Sequence, residues 1–340
     1  MHNNVGILTC GGLCPGLNTV IRTITLKELE NNNNVYGFKK GFHGLNNNIK
    51  DRLYKEDVYL INEQAGTILE TSRERLELNE SSYSLSYLDK LYCIGGNGTL
   101  AAGKLISNRY RNVNVIGIAK TIDNDIHQLE SFGFQTAVEE TVTFIHRGYV
   151  EATSMNCIMF VETMGRNSGF LAAYSTKAAA GIVDFCMIPE MSPDTYESYR
   201  AISGIYRVKG HCVVVVSEGC DYDELFYALN IEHKVKKIVP GYLVRSCPPN
   251  VSDIILATNM SLNAVNKSET MSNFIQGINN KHILFEEFQT GERKLDTDID
   301  DDNMIDYIEH LNTEMSRIAN QNRKNDNNDF DVDFDFVDRV

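Results

Sequence analysis

Short apolar runs alternate with amphipathic stretches through the first 220 residues. Val5–Cys10, Leu91–Ile94, Val113–Ile118, Cys157–Glu162, Val183–Ile188 and His211–Ser217 are brief and almost continuously apolar, the pattern of strands buried on both faces. Leu17–Glu30, Thr99–Tyr110, Phe134–Thr153, Ser168–Ala180 and Tyr196–Val208 lie between them and carry apolar residues at helical spacing. Strand alternating with helix predicts βαβ units and a mostly parallel sheet covered on both faces. The expected fold class is therefore α/β. One such sheet needs about 150 residues, so a chain of 340 residues suits two stacked lobes.

Composition narrows the class. Hydrophobic residues make up 42% and charged residues 23%, which excludes collagen-like, coiled-coil and wholly disordered chains. No apolar run approaches the ~18 residues of a membrane span, and the first residues lack the basic region and cleavage site of a signal peptide. The formal charge of −14 is uneven: residues 291–340 carry 15 acidic and 6 basic side chains, a net of −9. The remaining −5 over 290 residues argues against general nucleic-acid binding while permitting local basic pockets, and with no long apolar run no membrane partner is expected. Eight cysteines never form CxxC and several sit in apolar runs, so reduced thiols and a cytoplasmic location are expected. Asparagine is abundant at 34 residues; the runs 31–34 and 46–48 read as surface loops, and residues 321–340 as an acidic, disordered tail.

Candidate chemistry concentrates in three loops at expected strand ends, where open α/β sheets collect ligands. Gly11-Gly12-Leu13-Cys14-Pro15-Gly16-Leu17-Asn18 stands between a strand and a helix, as a loop that brings backbone close to phosphate would. It is neither a Walker A loop nor a GxGxxG fingerprint. Gly95-Gly96-Asn97-Gly98-Thr99 repeats the arrangement, with Thr99 expected as a helix cap or a phosphate contact. Lys120-Thr121-Ile122-Asp123-Asn124-Asp125 clusters two carboxylates beside a lysine, which suits metal binding or proton transfer and also a solvated acidic loop.

These loops in this order, followed by Met164-Gly165-Arg166-Asn167-Ser168-Gly169, resemble the 6-phosphofructokinase family from about Val5 to about Val265. Lys120 ahead of TIDND, the stretch 131–140 and Gly66–Leu69 with Thr71-Ser72-Arg73 are similar to its plant-like ATP-dependent branch, close to the pyrophosphate-dependent enzymes. The resemblance implies two Rossmann-like lobes with mostly parallel sheets, the active site in the cleft between them. It divides the chain into residues 1–133 plus about 247–290 for the phosphate donor, and 134–246 plus about 291–320 for fructose 6-phosphate. It makes Asp123 the catalytic base toward the sugar's 1-hydroxyl, and assigns substrate contacts to Thr121, Met164, Gly165, Arg166, Glu218, Lys236, Tyr242 and Arg245. Gly11, Gly12, Arg73, Gly96, Gly98, Thr99 and Lys120 fall to the nucleotide, and Asn97 and Asp125 to Mg²⁺. The resemblance further implies glycolytic phosphorylation of fructose 6-phosphate by ATP in an allosteric enzyme, as a homo-oligomer (dimer or tetramer) or a heteromer with a related subunit.

Two positions weigh on that expectation. In the pyrophosphate-using branch an aspartate follows position 97 and obstructs the nucleotide's α-phosphate; Gly98 leaves that space open and favours ATP. The family's GGDGT becomes GGNGT here, so Asn97 offers magnesium a carbonyl in place of a carboxylate. A weakened enzyme, a regulatory subunit and a pyrophosphate-dependent kinase are the alternatives.

Overall fold

The computed structural model describes all residues except 1, 79–83, 128, 130, 192–193, 278–280, 297–302 and 324–340. In chain order the elements are β1 (Asn4–Thr9), α1 (Leu17–Glu30), β2 (Asn34–Phe38), α2 (Phe42–Asn47), β3 (Lys50–Arg52), α3 (Lys55–Val58), β4 (Lys90–Gly95), α4 (Asn97–Arg109) and β5 (Asn114–Ala119). Next come α5 (Phe134–Met155), β6 (Ile158–Thr163), α6 (Phe170–Ala178), β7 (Phe185–Met187), α7 (Thr195–Lys209), β8 (Cys212–Ser217), α8 (Asp223–Glu232) and β9 (Val235–Ile238). A 3₁₀ turn at Gly241–Arg245, α9 (Val251–Ser268), β10 (Phe274–Gln276), β11 (His282–Leu284) and α10 (Met304–Arg323) complete the chain.

The chain forms two compact units, 1–137 with 242–293 and 138–241 with 294–340. The first contains a seven-stranded sheet in the order β11-β10-β5-β4-β1-β2-β3, parallel apart from its two outermost strands. The second contains an all-parallel sheet ordered β7-β8-β6-β9. Central strands are fully buried, as the continuous apolar runs require: Val213–Val216 and Ile158–Val161 face helices on both sides. Phe160, Val214, Ile202, Ile205 and Leu229 form the heart of the second unit's core.

Asparagine does more than fill loops. Asn34 opens β2 opposite Asn4, Asn46 and Asn47 close α2, and Asn48 ends that helix at φ 55°. Asparagine tolerates this left-handed conformation better than most residues, so a run read as loop instead supplies a helix terminus. The tail expectation also shifts, because α10 continues to Arg323; the rest of that segment lies outside the described residues.

The second segment of the first unit is fastened through Asp253. This fully buried α9 carboxylate accepts hydrogen bonds from Gly133 N–H (2.7 Å), Thr136 N–H (2.7 Å) and the Thr136 hydroxyl (2.5 Å), at the start of α5. Asn250 caps α9 in turn through Asp253 N–H (2.9 Å), and its own N–H reaches the Thr136 oxygen (3.0 Å). Two helix starts thus satisfy one another across 117 residues of sequence.

Candidate active site

In the first unit the exits of β1, β4 and β5 lie side by side, because these strands are direct parallel neighbours. Their three loops therefore meet. The first is held open by Gly16, whose φ of 98° is left-handed and which precedes α1 without a capping side chain. Gly11 N–H donates to the Ser72 carbonyl (3.1 Å) and the Thr71 hydroxyl to the Gly11 carbonyl (2.8 Å), so the segment carrying Arg73 walls this loop; Arg73 itself is exposed.

Two cations converge on Gly12. Lys120, only 5% exposed, donates from Nζ to the Gly12 carbonyl at 2.6 Å. The Arg245 guanidinium covers the other side, 2.5 Å from where a Gly12 Cβ would stand, so a side chain here would have to displace it. Burial pulls the Lys120 ammonium below its ordinary range, and the positive charge of Arg245 adds to that pull. Burial also pushes the Cys10 thiol up to about 12 and Cys14 higher still, so neither is a nucleophile. A buried lysine and an arginine on a glycine loop make a site that an anion would relieve of like-charge repulsion.

The second loop enters α4 through Gly96, which has extended backbone and takes the cap position expected of Thr99. Thr99 lies instead in the first turn, buried, with its N–H on the Gly96 carbonyl (2.9 Å). A Cβ on Gly98 would meet nothing within 4 Å. Asn97 has its amide nitrogen 3.5 Å from the Asp125 carbonyl, while its buried Oδ1 has no hydrogen-bond partner.

The third loop places its acids by internal bonding. The Thr121 hydroxyl donates to Asp125 Oδ1 (2.8 Å) and accepts from Asp123 N–H (3.0 Å), while Thr121 N–H donates to Ser131 Oγ (3.0 Å). Asp123 is 6% exposed, and Asn124 beside it sits at φ 53°. Thr121, expected at the substrate, is thus engaged in bracing both aspartates. Among the described residues no group of three or more His, Cys, Asp and Glu is arranged for a metal. Mg²⁺ nevertheless fits: it binds through one or two carboxylates plus substrate phosphates, and the orphaned Asn97 oxygen beside Asp125 is a hard donor.

In the second unit the loop after β6 turns through Gly165 (φ 141°) and Arg166 (φ 54°). Glu218, one residue past β8, accepts from Gly165 N–H (3.2 Å) and Arg166 N–H (2.8 Å) through a single oxygen. The Gly219 backbone passes so near that a Cβ there would strike the Arg166 carbonyl at 2.0 Å. Arg166 is exposed and Met164 half-buried. The Lys236 ammonium pairs with Glu151, whose hydrogen bond raises its pKa. Tyr242 and Arg245, expected with Lys236 around one phosphate, fall in the first unit, the guanidinium 4.5 Å from the Tyr242 ring centre.

Asp253 and Glu190 went unnoticed in the sequence. A signal for Asp253 existed, since Asn250 three residues earlier makes a capping pair, but nothing local reveals that its carboxylate serves another helix.

No described helix is long and apolar enough to cross a membrane. The model of the family described as Phosphofructokinase matches residues 4–267. An ATP-dependent 6-phosphofructokinase of Trypanosoma brucei brucei is 33% identical over 311 residues, covering 78% of this chain and 64% of that protein. ATP-dependent 6-phosphofructokinase 7 of Arabidopsis thaliana is 36% identical over 304 residues, covering 76% and 62% respectively. The chain thus spans a little over three-fifths of these relatives. Among solved structures, a pyrophosphate-dependent phosphofructokinase from Nitrosospira multiformis superposes with a TM-score of 0.78 at 16% identity, over 93% of this chain and 92% of that one. With the loops in place on the expected strands and a family match over most of its length, the chain belongs to the phosphofructokinase family.

Proposed function

We propose that the protein is an ATP-dependent 6-phosphofructokinase, converting ATP and fructose 6-phosphate to ADP and fructose 1,6-bisphosphate. The observation that carries this reading is the pairing of Lys120 and Arg245 on the Gly12 loop with buried Asp123 and Asp125 on the adjoining loop. Cations bind and neutralise phosphate, and a carboxylate accepts the proton of an attacking hydroxyl. In this reading the first unit holds the donor and the second the sugar phosphate, through Met164, Gly165, Arg166 and Lys236. Tyr242 and Arg245 serve the donor side.

Asp123 takes the proton of the 1-hydroxyl as that oxygen attacks the γ-phosphorus. Thr121 keeps the base oriented through its bond to Asp123 N–H, and Lys120 draws charge from the transferred group. Glu218 fixes Gly165 and Arg166 toward the sugar phosphate. Asp125 and Asn97 would hold Mg²⁺, whose charge supports the β,γ-phosphates. A steady-state assay of the purified chain with fructose 6-phosphate and each donor tests the proposal. Turnover with ATP is expected, and turnover with pyrophosphate alone would overturn the donor assignment.

Gly98→Asp isolates that assignment. The open space at this position means the fold accepts the side chain, and an acid in the first turn of α4 favours the helix. Its charge beside the nucleotide phosphates should raise KM for ATP about 10–100-fold. Unchanged ATP kinetics would mean that the nucleotide does not run past this loop.

Asn97→Asp tests the metal side. A carboxylate in place of the orphaned amide oxygen should lower the Mg²⁺ concentration for half-maximal rate by up to about tenfold. A variant superimposable on the parent through a magnesium titration would remove Asn97 from the metal site. The family's oligomeric habit leads us to propose a homo-oligomer, which light scattering measures.

A further inference from the structure

We infer that Glu190 is a positioning residue for the Met164–Ser168 loop and thereby sets the affinity of the second unit for a sugar phosphate; this rests on the reading of that loop given above. Glu190 lies three residues past β7, and its Oε1 accepts from Gly169 N–H at 2.9 Å and Leu295 N–H at 3.1 Å. Gly169 is the residue on which α6 begins and the loop ends. The loop is therefore clamped at both ends by carboxylates, with Glu218 on the Gly165 and Arg166 N–H groups and Glu190 on Gly169. Within this span stands Arg166 at φ 54°, an unfavourable conformation for a side-chain-bearing residue, in a turn closed by Ser168 N–H on the Gly165 carbonyl (3.0 Å) and steadied by the two carboxylates.

The second oxygen supports a role beyond packing. Glu190 Oε2 is buried and has no hydrogen-bond partner, although a neutral side chain could have served Oε1 alone. It lies 2.6 Å from where a Gly169 Cβ would be, against the start of α6, where a negative charge is favoured by the helix dipole. The same carboxylate binds residue 295, so the returning C-terminal segment, the exit of β7 and the loop share one anchor.

The experiment compares Glu190→Ala, Glu190→Gln and the parent by amide hydrogen exchange over residues 165–169 and by calorimetric titration with fructose 6-phosphate and ATP. Glu190→Ala should speed loop exchange about tenfold and weaken fructose 6-phosphate binding about tenfold, with ATP binding within about twofold. Glu190→Gln, which keeps an oxygen for both N–H groups, should stay within about threefold of the parent in sugar affinity. Loop exchange and sugar affinity at parental values in Glu190→Ala, even with a lower Tm, would overturn the inference. Should that variant not fold, parental exchange and affinity in Glu190→Asp, too short to reach both N–H groups, would overturn it equally. A parent chain that binds no fructose 6-phosphate would sink the substrate reading instead, and loop exchange would still decide whether Glu190 positions the loop.

Discussion

Asp123→Asn should reduce kcat by about 10²–10⁴-fold while leaving fructose 6-phosphate binding close to that of the parent. The substitution preserves volume, and it leaves in place the backbone N–H through which the loop is braced. Thr121 Oγ1 receives Asp123 through its backbone N–H, and the Thr121 hydroxyl is itself anchored on Asp125. What the amide loses is the ability to accept a proton in a site only 6% exposed, where water has little access to substitute for it. A rate loss of this size confined to kcat is the signature of a group used in the transition state alone. Near-parental turnover would show that another group takes the proton.

Asp253→Ala should be the most damaging change to the fold of the first unit. It deletes a fully buried carboxylate and strands two backbone N–H donors and the Thr136 hydroxyl that it satisfies. Removing one partner from a buried charged network costs about 3–5 kcal/mol, which for a unit of this size lowers Tm by roughly 10 °C. Asp253→Asn should recover only part of this, because one of the two accepting oxygens becomes an NH₂ facing N–H donors. Thermal unfolding followed by circular dichroism decides the matter, and a Tm within 2 °C of the parent would falsify the assigned role.

The α/β class and most of the major elements were legible in the sequence, because buried parallel strands are continuous apolar runs of a length few other structures share. Leu17–Glu30 is helical over the predicted span, and α5 runs only two residues beyond its predicted end. The loops at 11–18, 95–99 and 120–125 declared themselves by glycine and acid, residue types that phosphate binding and proton transfer require locally. Elements without such signals stayed hidden. The short strands β2, β3, β10 and β11, the outer pair on each side of the sheet, depend on neighbours for their pairing, and β2 begins inside an asparagine run.

Sequence by itself determined which groups are available and in what order: glycines where backbone must approach a ligand, Lys120 ahead of two aspartates, and Asn97 in place of a carboxylate. Only the tertiary structure decided what each group is committed to. Lys120 turns onto Gly12, 108 residues away, and Arg245 joins it from a segment expected beside Lys236, while Lys236 is taken by Glu151. Thr121 braces the acids, and Glu218 and Glu190 hold the loop that carries left-handed Arg166. The physical reason is that residue type and local spacing are written along the chain, whereas the partner that satisfies a buried polar group is chosen by strand order and helix packing. Apart from those of Thr121, which are two and four residues away, the partners lie tens to more than a hundred residues away, beyond the reach of any local pattern.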